Sequence, residues 1–129
     1  MIGTGAFNYL NVLNKAADAS WKRNEVISNN IANVDTPNYK RQDVQFESYL
    51  MEELAGGDSL DKSVANADMS ALTATTYTDN SNLSYREDGN NVDIDTENSY
   101  LAQNQIKYYT VLDSMNQEFS RIKTVLTAN

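Results

Sequence analysis

The stretch ISNNIANVDTPNYK, residues 27–40, decides how this chain folds. Three features meet in it. A helical apolar pattern arriving from the N-terminal side ends here. Four asparagines, Asn29, Asn30, Asn33 and Asn38, crowd together, and the sole proline of the chain, Pro37, sits among them. The proline ring clashes with the backbone of Thr36 and drives that residue out of the α region. The helix is therefore expected to stop between Val34 and Thr36. Asn33 or Asn38 should serve as a left-handed cap, because a short amide side chain tolerates that conformation.

On the N-terminal side, Leu10, Leu13, Ala17, Ile27, Ile31 and Val34 recur at spacings that keep them on one helical seam, and Ser20 and Asn24 fill its gaps. The pattern covers residues 5–34, or about 45 Å of helix. Val12, Ala19 and Val26 form a second line on another side, and Phe7 and Trp21 flank the first. A helix apolar on more than one side is covered on more than one side. Two arrangements satisfy this: the central helix of a small bundle, or a helix packed by several subunits.

Beyond the proline, residues 40–45 should be extended. Residues 46–54 predict a short acidic helix with Phe46, Tyr49, Leu50 and Leu54 on one side, stopped by Gly56 and Gly57. Residues 58–82 show no period and are rich in Asp, Ser, Thr, Asn and Ala, which predicts a mobile loop. In LSYREDGNNVDID, residues 83–95, Leu83 and Tyr85 alternate with polar residues before Asp88-Gly89, and Val92 and Ile94 alternate after it. This predicts a small β-hairpin, or a strand and turn leading into a helix. A calcium loop is excluded: with Gly89 as its central glycine, Ser84 and Arg86 would occupy the first ligand positions. The carboxylates are better turn formers and caps. Asp93 or Asp95 suits a helix start, as does the charge of Glu97. The last seam runs Asn98, Leu101, Gln105, Tyr108, Leu112, Met115, Phe119, Ile122, Leu126 without a slip, the pattern of a coiled-coil helix. Asn98 and Gln105 either fix its register or mark a frayed first turn.

Composition narrows the function. Hydrophobic residues make up 40% of 129, and mean hydropathy is -0.59, so a large private core is not expected. The formal charge of -8 is concentrated: residues 1–43 and 100–129 each carry +1, and residues 44–99 carry -10. No basic patch supports binding to nucleic acid or to an anionic membrane surface. The absence of cysteine and histidine removes thiolate metal sites, disulfides and the commonest catalytic base. There is no glycine-rich phosphate loop, so an enzyme is not expected, nor is a cofactor. Neither a cleavable leader nor a membrane span is visible, which by composition alone suggests a cytoplasmic protein.

The wording of the two motifs carries further. ISNNIANVDTPNYKRQDVQFE, residues 27–47, resembles the N-terminal signature of the axial proteins of the bacterial flagellum, the rod and hook family. Asn29, Asn30, Ile31, Ala32, Asn33, Thr36, Pro37 and Tyr39 match it. DGNNVDIDTE, residues 88–97, followed by a seam helix, resembles that family's second motif through Asp88, Gly89, Asn90, Val92, Asp93 and Glu97. The short middle segment resembles the proximal-rod members. The resemblance implies a mainly α fold whose long terminal helices pair as an antiparallel, coiled-coil-like hairpin around a short irregular acidic middle. It divides the chain into an N-terminal helix (1–36), a middle (37–95) and a C-terminal helix (96–129).

It also implies a structural subunit exported by the flagellar type III apparatus into the periplasmic rod, which replaces the cytoplasmic expectation. Its implied partners are copies of itself, other proximal-rod proteins, the rod–membrane-ring adaptor and export-gate subunits, with no nucleic acid and no direct membrane insertion. Leu10, Leu13, Ala17, Ile27, Ile31, Leu101, Tyr108, Leu112, Met115, Phe119, Ile122 and Leu126 are the expected packing and assembly residues. Both seams are expected to be loosely structured before assembly. The competing function is a self-contained helical adaptor or export chaperone.

Overall fold

The computed structural model describes residues 2–57, 59–81 and 86–128. Its elements in chain order are α1 (Ile2–Ala32), β1 (Gln42–Gln45), α2 (Glu47–Leu54), α3 (Leu60–Asn66), a 3-10 turn (Met69–Ala71), β2 (Thr75–Thr78) and α4 (Ile94–Thr127). The fold is mainly helical, as expected. α1 and α4 run antiparallel: Asn30 meets Glu97 near one end, Ser20 meets Asn104 in the middle, and Ala6 and Leu10 cluster with Ile122 near the other.

α1 ends at Ala32, just before the expected stop. Pro37 and Asn38 then form the centre of a turn closed by the Tyr39 N–H donating to Thr36 O at 3.2 Å. Asn38 has φ +63°, the left-handed conformation expected of one of the two asparagines. Proline followed by a residue of positive φ is the order that a type II turn requires. The chain leaves this turn extended and enters β1.

α1 is buried on two flanks, which is the bundle arrangement. One seam faces α4. The second line packs under the middle segment, where Val12, Ala19, Phe46, Val64 and Leu72 make a buried cluster flanked by Tyr9, Tyr49, Leu50 and Leu54. This corrects the expectation of a loop over residues 58–82. Within the described part of that stretch, α3, the 3-10 turn and β2 are formed, because Val64 and Leu72 complete the cover over α1. Ser59 caps α3 by accepting from Lys62 N, and Asp68 accepts from Ser70 N at the 3-10 turn.

The small sheet also lies elsewhere than expected. β1 pairs antiparallel with β2, Gln42 opposite Thr78 and Gln45 opposite Thr75. Residues 86–93 form a turn and an irregular run, not the second arm of a hairpin, and Ile94 begins α4. Leu83 and Tyr85, the expected first arm, lie outside the described residues. Asp93 caps α4, its carboxylate accepting from the N–H groups of Asp95 at 3.0 Å and Thr96 at 3.2 Å.

Candidate functional site

The two sequence motifs meet in one buried polar node where α1, β1 and α4 converge. Asn30, at 0% exposure, sits on the inward side of the last turns of α1. Its amide serves β1 in both directions: Nδ2 donates to Gln42 O at 2.8 Å, and Oδ1 accepts from Gln42 N at 2.9 Å. Nδ2 also reaches Glu97 Oε2 at 3.1 Å, and Oδ1 receives the Tyr39 hydroxyl at 3.3 Å. One asparagine thus ties the helix end to the strand and to α4, which needs a side chain carrying both donor and acceptor.

Glu97 is 1% exposed and its other oxygen, Oε1, accepts from Arg41 Nε at 2.5 Å. Arg41 Nη1 donates to Asp79 Oδ2 at 2.6 Å, and the guanidinium carbon lies 5.2 Å from the centre of the Tyr100 ring. Burial opposes the charge of Arg41, but the Glu97 hydrogen bond and charge, then Asp79, outweigh it and hold the group above its ordinary range. Asp79 is held low by the Ser81 hydroxyl and N–H, with Arg41 adding to them. Burial, then the charge of Glu97, pushes the Tyr39 hydroxyl up. Asn91 completes the wall: Oδ1 accepts from Arg41 N at 2.7 Å, and Nδ2 donates to Asp79 O at 2.7 Å.

Asn90, also 0% exposed, closes the end of α1 from the far side of the chain. Its Nδ2 points at three carbonyls, those of Asn33 (2.8 Å), Val34 (3.0 Å) and Thr36 (2.9 Å). These carbonyls belong to the turn that follows α1, where those of Asn33 and Thr36 also accept from the N–H groups of Thr36 and Tyr39. Oδ1 accepts from Val92 N at 2.7 Å, so Asn90 also shapes the run into α4. Gly89 has φ +76°, and a Cβ there would lie 2.7 Å from Asn38 Oδ1. Glycine is therefore required where the second motif crosses the turn of the first. Asp88 O accepts from Asn38 N at 2.7 Å, and Lys40 Nζ donates to Gly89 O.

The remaining motif residues range from exposed to buried. Asn29 is exposed and its carbonyl accepts from Asn33 Nδ2 at 2.8 Å. Asn33 Oδ1 accepts from the Thr36 hydroxyl at 3.0 Å. Ala32, Thr36 and Pro37 are exposed, Ile31 is half-buried and Val92 is buried. Of the expected packing residues, Leu10, Ala17, Ile27 and Ile122 are buried, and Leu13, Leu101, Tyr108, Leu112 and Met115 are half-buried. Phe119 is 55% exposed and Leu126 78% exposed. The cause is rotational. Glu97 points into the node, so the inward stripe of α4 runs through Glu97, Leu101, Asn104, Tyr108, Met115 and Ile122, and Asn98 and Gln105 turn outward.

Arg41, Asp79, Asn91 and Asn104 carry weight that the sequence pattern did not mark. Arg41 stands inside the first motif's basic pair and Asn91 inside the second motif. Asp79 comes from a stretch with no periodic signal at all. Outside the node, Arg23 grips Glu47 with two bonds, 2.5 and 2.6 Å, and Lys107 Nζ lies 3.6 Å from the same carboxylate, tying α1, α2 and α4. Arg41 faces Glu97, Asp79 and Asp43, so the arrangement holds elements together by opposite charge. Among the described residues no group of three acidic side chains is placed to hold a metal ion, and no helix is long and apolar enough to cross a membrane.

Comparison with known proteins places the chain as a whole. Residues 10–40 match the family model described as "Flagella basal body rod protein". The chain is 41% identical over 106 residues to the flagellar basal body rod protein FlgB of Bacillus subtilis strain 168, covering 81% of this chain and 82% of that protein. It is 36% identical over 132 residues to FlgB of Borrelia hermsii, covering 94% and 92%. FlgB of Escherichia coli K12 is 32% identical over 118 residues, covering 81% and 83%.

Proposed function

The chain belongs to the FlgB family of flagellar basal body rod proteins, and from that premise we propose that it is a subunit of the proximal rod, linking the membrane ring and export gate to the distal rod and passing torque along it. As a member of that family it is a structural component of the flagellum that assembles with other rod components, not an enzyme. Its terminal helices (1–36 and 96–129) form the assembling layer, and the middle (37–95) lies outward. The acidic middle favours this, since desolvating unpaired charges between close-packed helices costs several kcal/mol each. The nearest neighbours are other proximal-rod proteins, copies of itself, the rod–membrane-ring adaptor and the export gate, and the chain reaches the periplasmic rod through the flagellar type III apparatus without a cleaved leader.

One observation supports this reading above the others. The node clamps α1 and α4 in a single register, yet α4 still carries Phe119 and Leu126 on an uncovered row. A clamped hairpin with a spare apolar row suits a building unit. A self-contained adaptor or export chaperone draws on one opposing observation, the buried cluster already closed within the single chain. The test is Leu112→Ala with Phe119→Ala. Burial of each large apolar side chain is worth roughly 1.5–3 kcal/mol, so the double variant should be made and remain soluble yet be depleted from isolated basal bodies. Normal incorporation would count against assembly through the terminal helices.

A further inference from the structure

We infer that the free edge of β2 is a strand-addition site, taken by an extended basic segment of a second protein. The rod reading does not require it. In the antiparallel register Asp43 lies opposite Tyr77, and Val44 opposite Thr76. The Asp79 N–H donates to Arg41 O at 2.9 Å, one pair beyond Gln42 and Thr78. Bonded and non-bonded pairs alternate along such a ladder. Thr75 and Tyr77 therefore turn their backbone groups to β1, and Thr76 and Thr78 turn theirs away.

The two edges of this sheet differ. On β1 the outward groups are used. The N–H and C=O of Gln42 are both taken by the Asn30 amide. Val44 N donates to Asp43 Oδ1 at 2.7 Å, and Arg23 Nη2 donates to Val44 O at 2.9 Å. On β2, no hydrogen bond from the described residues reaches the outward N–H or C=O of Thr76 or Thr78, and all four strand residues are exposed. The strand also lacks most of the devices that close an edge. Residues 69–78, MSALTATTYT, contain no charge and no proline, and the pairing runs without a bulge. Its shortness, four residues, leaves an added strand only a few backbone bonds, so side chains must contribute.

An extended backbone presents donors and acceptors at the two-residue spacing of these groups. Charge decides its character. Residues 44–99 hold 12 acidic residues against Lys62 and Arg86, and from 63 to 85 the charged residues are Asp68 and Asp79 alone. The two arginines beside the sheet are turned inward. Arg41 lies against Glu97 and Asp79, and Arg23 grips Glu47, with side chains 5% and 14% exposed. Tyr77, 45% exposed, shares a face of the sheet with Asp43 and Asp79. A lysine or arginine opposite Tyr77 on the added strand would meet an aromatic ring flanked by two carboxylates. A second copy fits less well, since its own β2 brings no cation and each chain carries -8.

The test uses the full single chain, so its outcome is independent of incorporation into basal bodies. A blocked peptide of alternating lysine and valine, about seven residues long, is titrated at physiological salt. Amide shifts and exchange are read residue by residue by NMR. In the free chain Thr76 and Thr78 should exchange faster than Tyr77 and Asp79. The peptide should shift residues 75–79 and slow Thr76 and Thr78 selectively. Glutamate in place of its lysines should weaken binding by roughly tenfold or more. Thr76→Pro removes an outward N–H and no bond to β1. It should keep the parent's melting curve and lose binding by a similar factor, whereas Thr76→Val should bind like the parent. Shifts without protection of Thr76 and Thr78, equal binding of the glutamate peptide, parent-like binding by Thr76→Pro, or loss of binding in Thr76→Val overturns the inference. Protection of these two amides that grows with chain concentration and needs no peptide gives the edge to a second copy, and equally overturns it. Should Thr76→Pro unfold, the exchange pattern of the parent decides.

Discussion

Truncating Glu97 is the sharpest test of the node. The side chain is 1% exposed and accepts from Arg41 Nε at 2.5 Å and from Asn30 Nδ2 at 3.1 Å. Glu97→Ala leaves a buried guanidinium with Asp79 at 2.6 Å and Asp43 at 3.6 Å as its remaining acidic neighbours. Removing one member of a buried pair costs about 3–5 kcal/mol. Because Asp79 continues to neutralise Arg41, the lower end applies, about 3 kcal/mol, with about 1 kcal/mol more for the lost Asn30 bond. At a slope of about 4 °C per kcal/mol for a chain of this size, the melting midpoint should fall by roughly 16 °C. Neighbouring Asn98 is exposed, and Asn98→Ala should stay within about 0.5 kcal/mol of the parent. Urea and thermal melts followed by far-UV circular dichroism measure both. A double-mutant cycle with Arg41→Ala isolates the pair, and a coupling above about 1 kcal/mol is expected. A Glu97→Ala melt indistinguishable from the parent, or zero coupling, would refute the reasoning.

Gly89→Ala should destabilise by roughly 1–2 kcal/mol, because it forces a Cβ into the left-handed region and against Asn38; an equal melt would show that this crossing can relax. Asn90→Ala leaves the carbonyls of Asn33, Val34 and Thr36 without the amide and should speed amide exchange in the last turn of α1 more than elsewhere. Asp79 is held low by Ser81 and then Arg41, and Glu47 is held low because the Arg23 bonds overcome its burial. A depressed carboxylate contributes stability that is present above its unfolded value, near 4, and is lost as the pH falls through the folded value; the melting midpoint should drop below about pH 4, less steeply in Asp79→Asn. Hydrogen exchange on the single chain should be slowest around residues 26–31 and 97–104, beside the node, and faster over residues 117–126, where Ile122 alone is buried; uniform protection along α4 would argue against the node as the anchor.

Local chemistry was legible in the amino-acid order. Residue spacing marked α1 and α4, proline and asparagine marked the turn at residues 36–39, the paired glycines ended α2, and Asp93 stood where a cap belongs. Each depends on neighbours a few positions away, so the sequence carries it directly. The two quoted motifs went further, since several of their residues, Asn30, Tyr39, Gly89, Asn90 and Glu97, interlock at the end of α1. Tertiary structure decided the rest. Asn30 and Glu97 are 67 positions apart, and nothing in either motif says that they touch. Their contact sets the rotation of α4, which sends Leu101, Tyr108, Met115 and Ile122 inward and leaves Phe119 and Leu126 outside. Residues 59–78 carry no period because their order comes from lying on Val12 and Ala19 of α1, not from their own pattern. A seam of two rows records that two surfaces exist, and only the packed chain shows which one its own helix has taken.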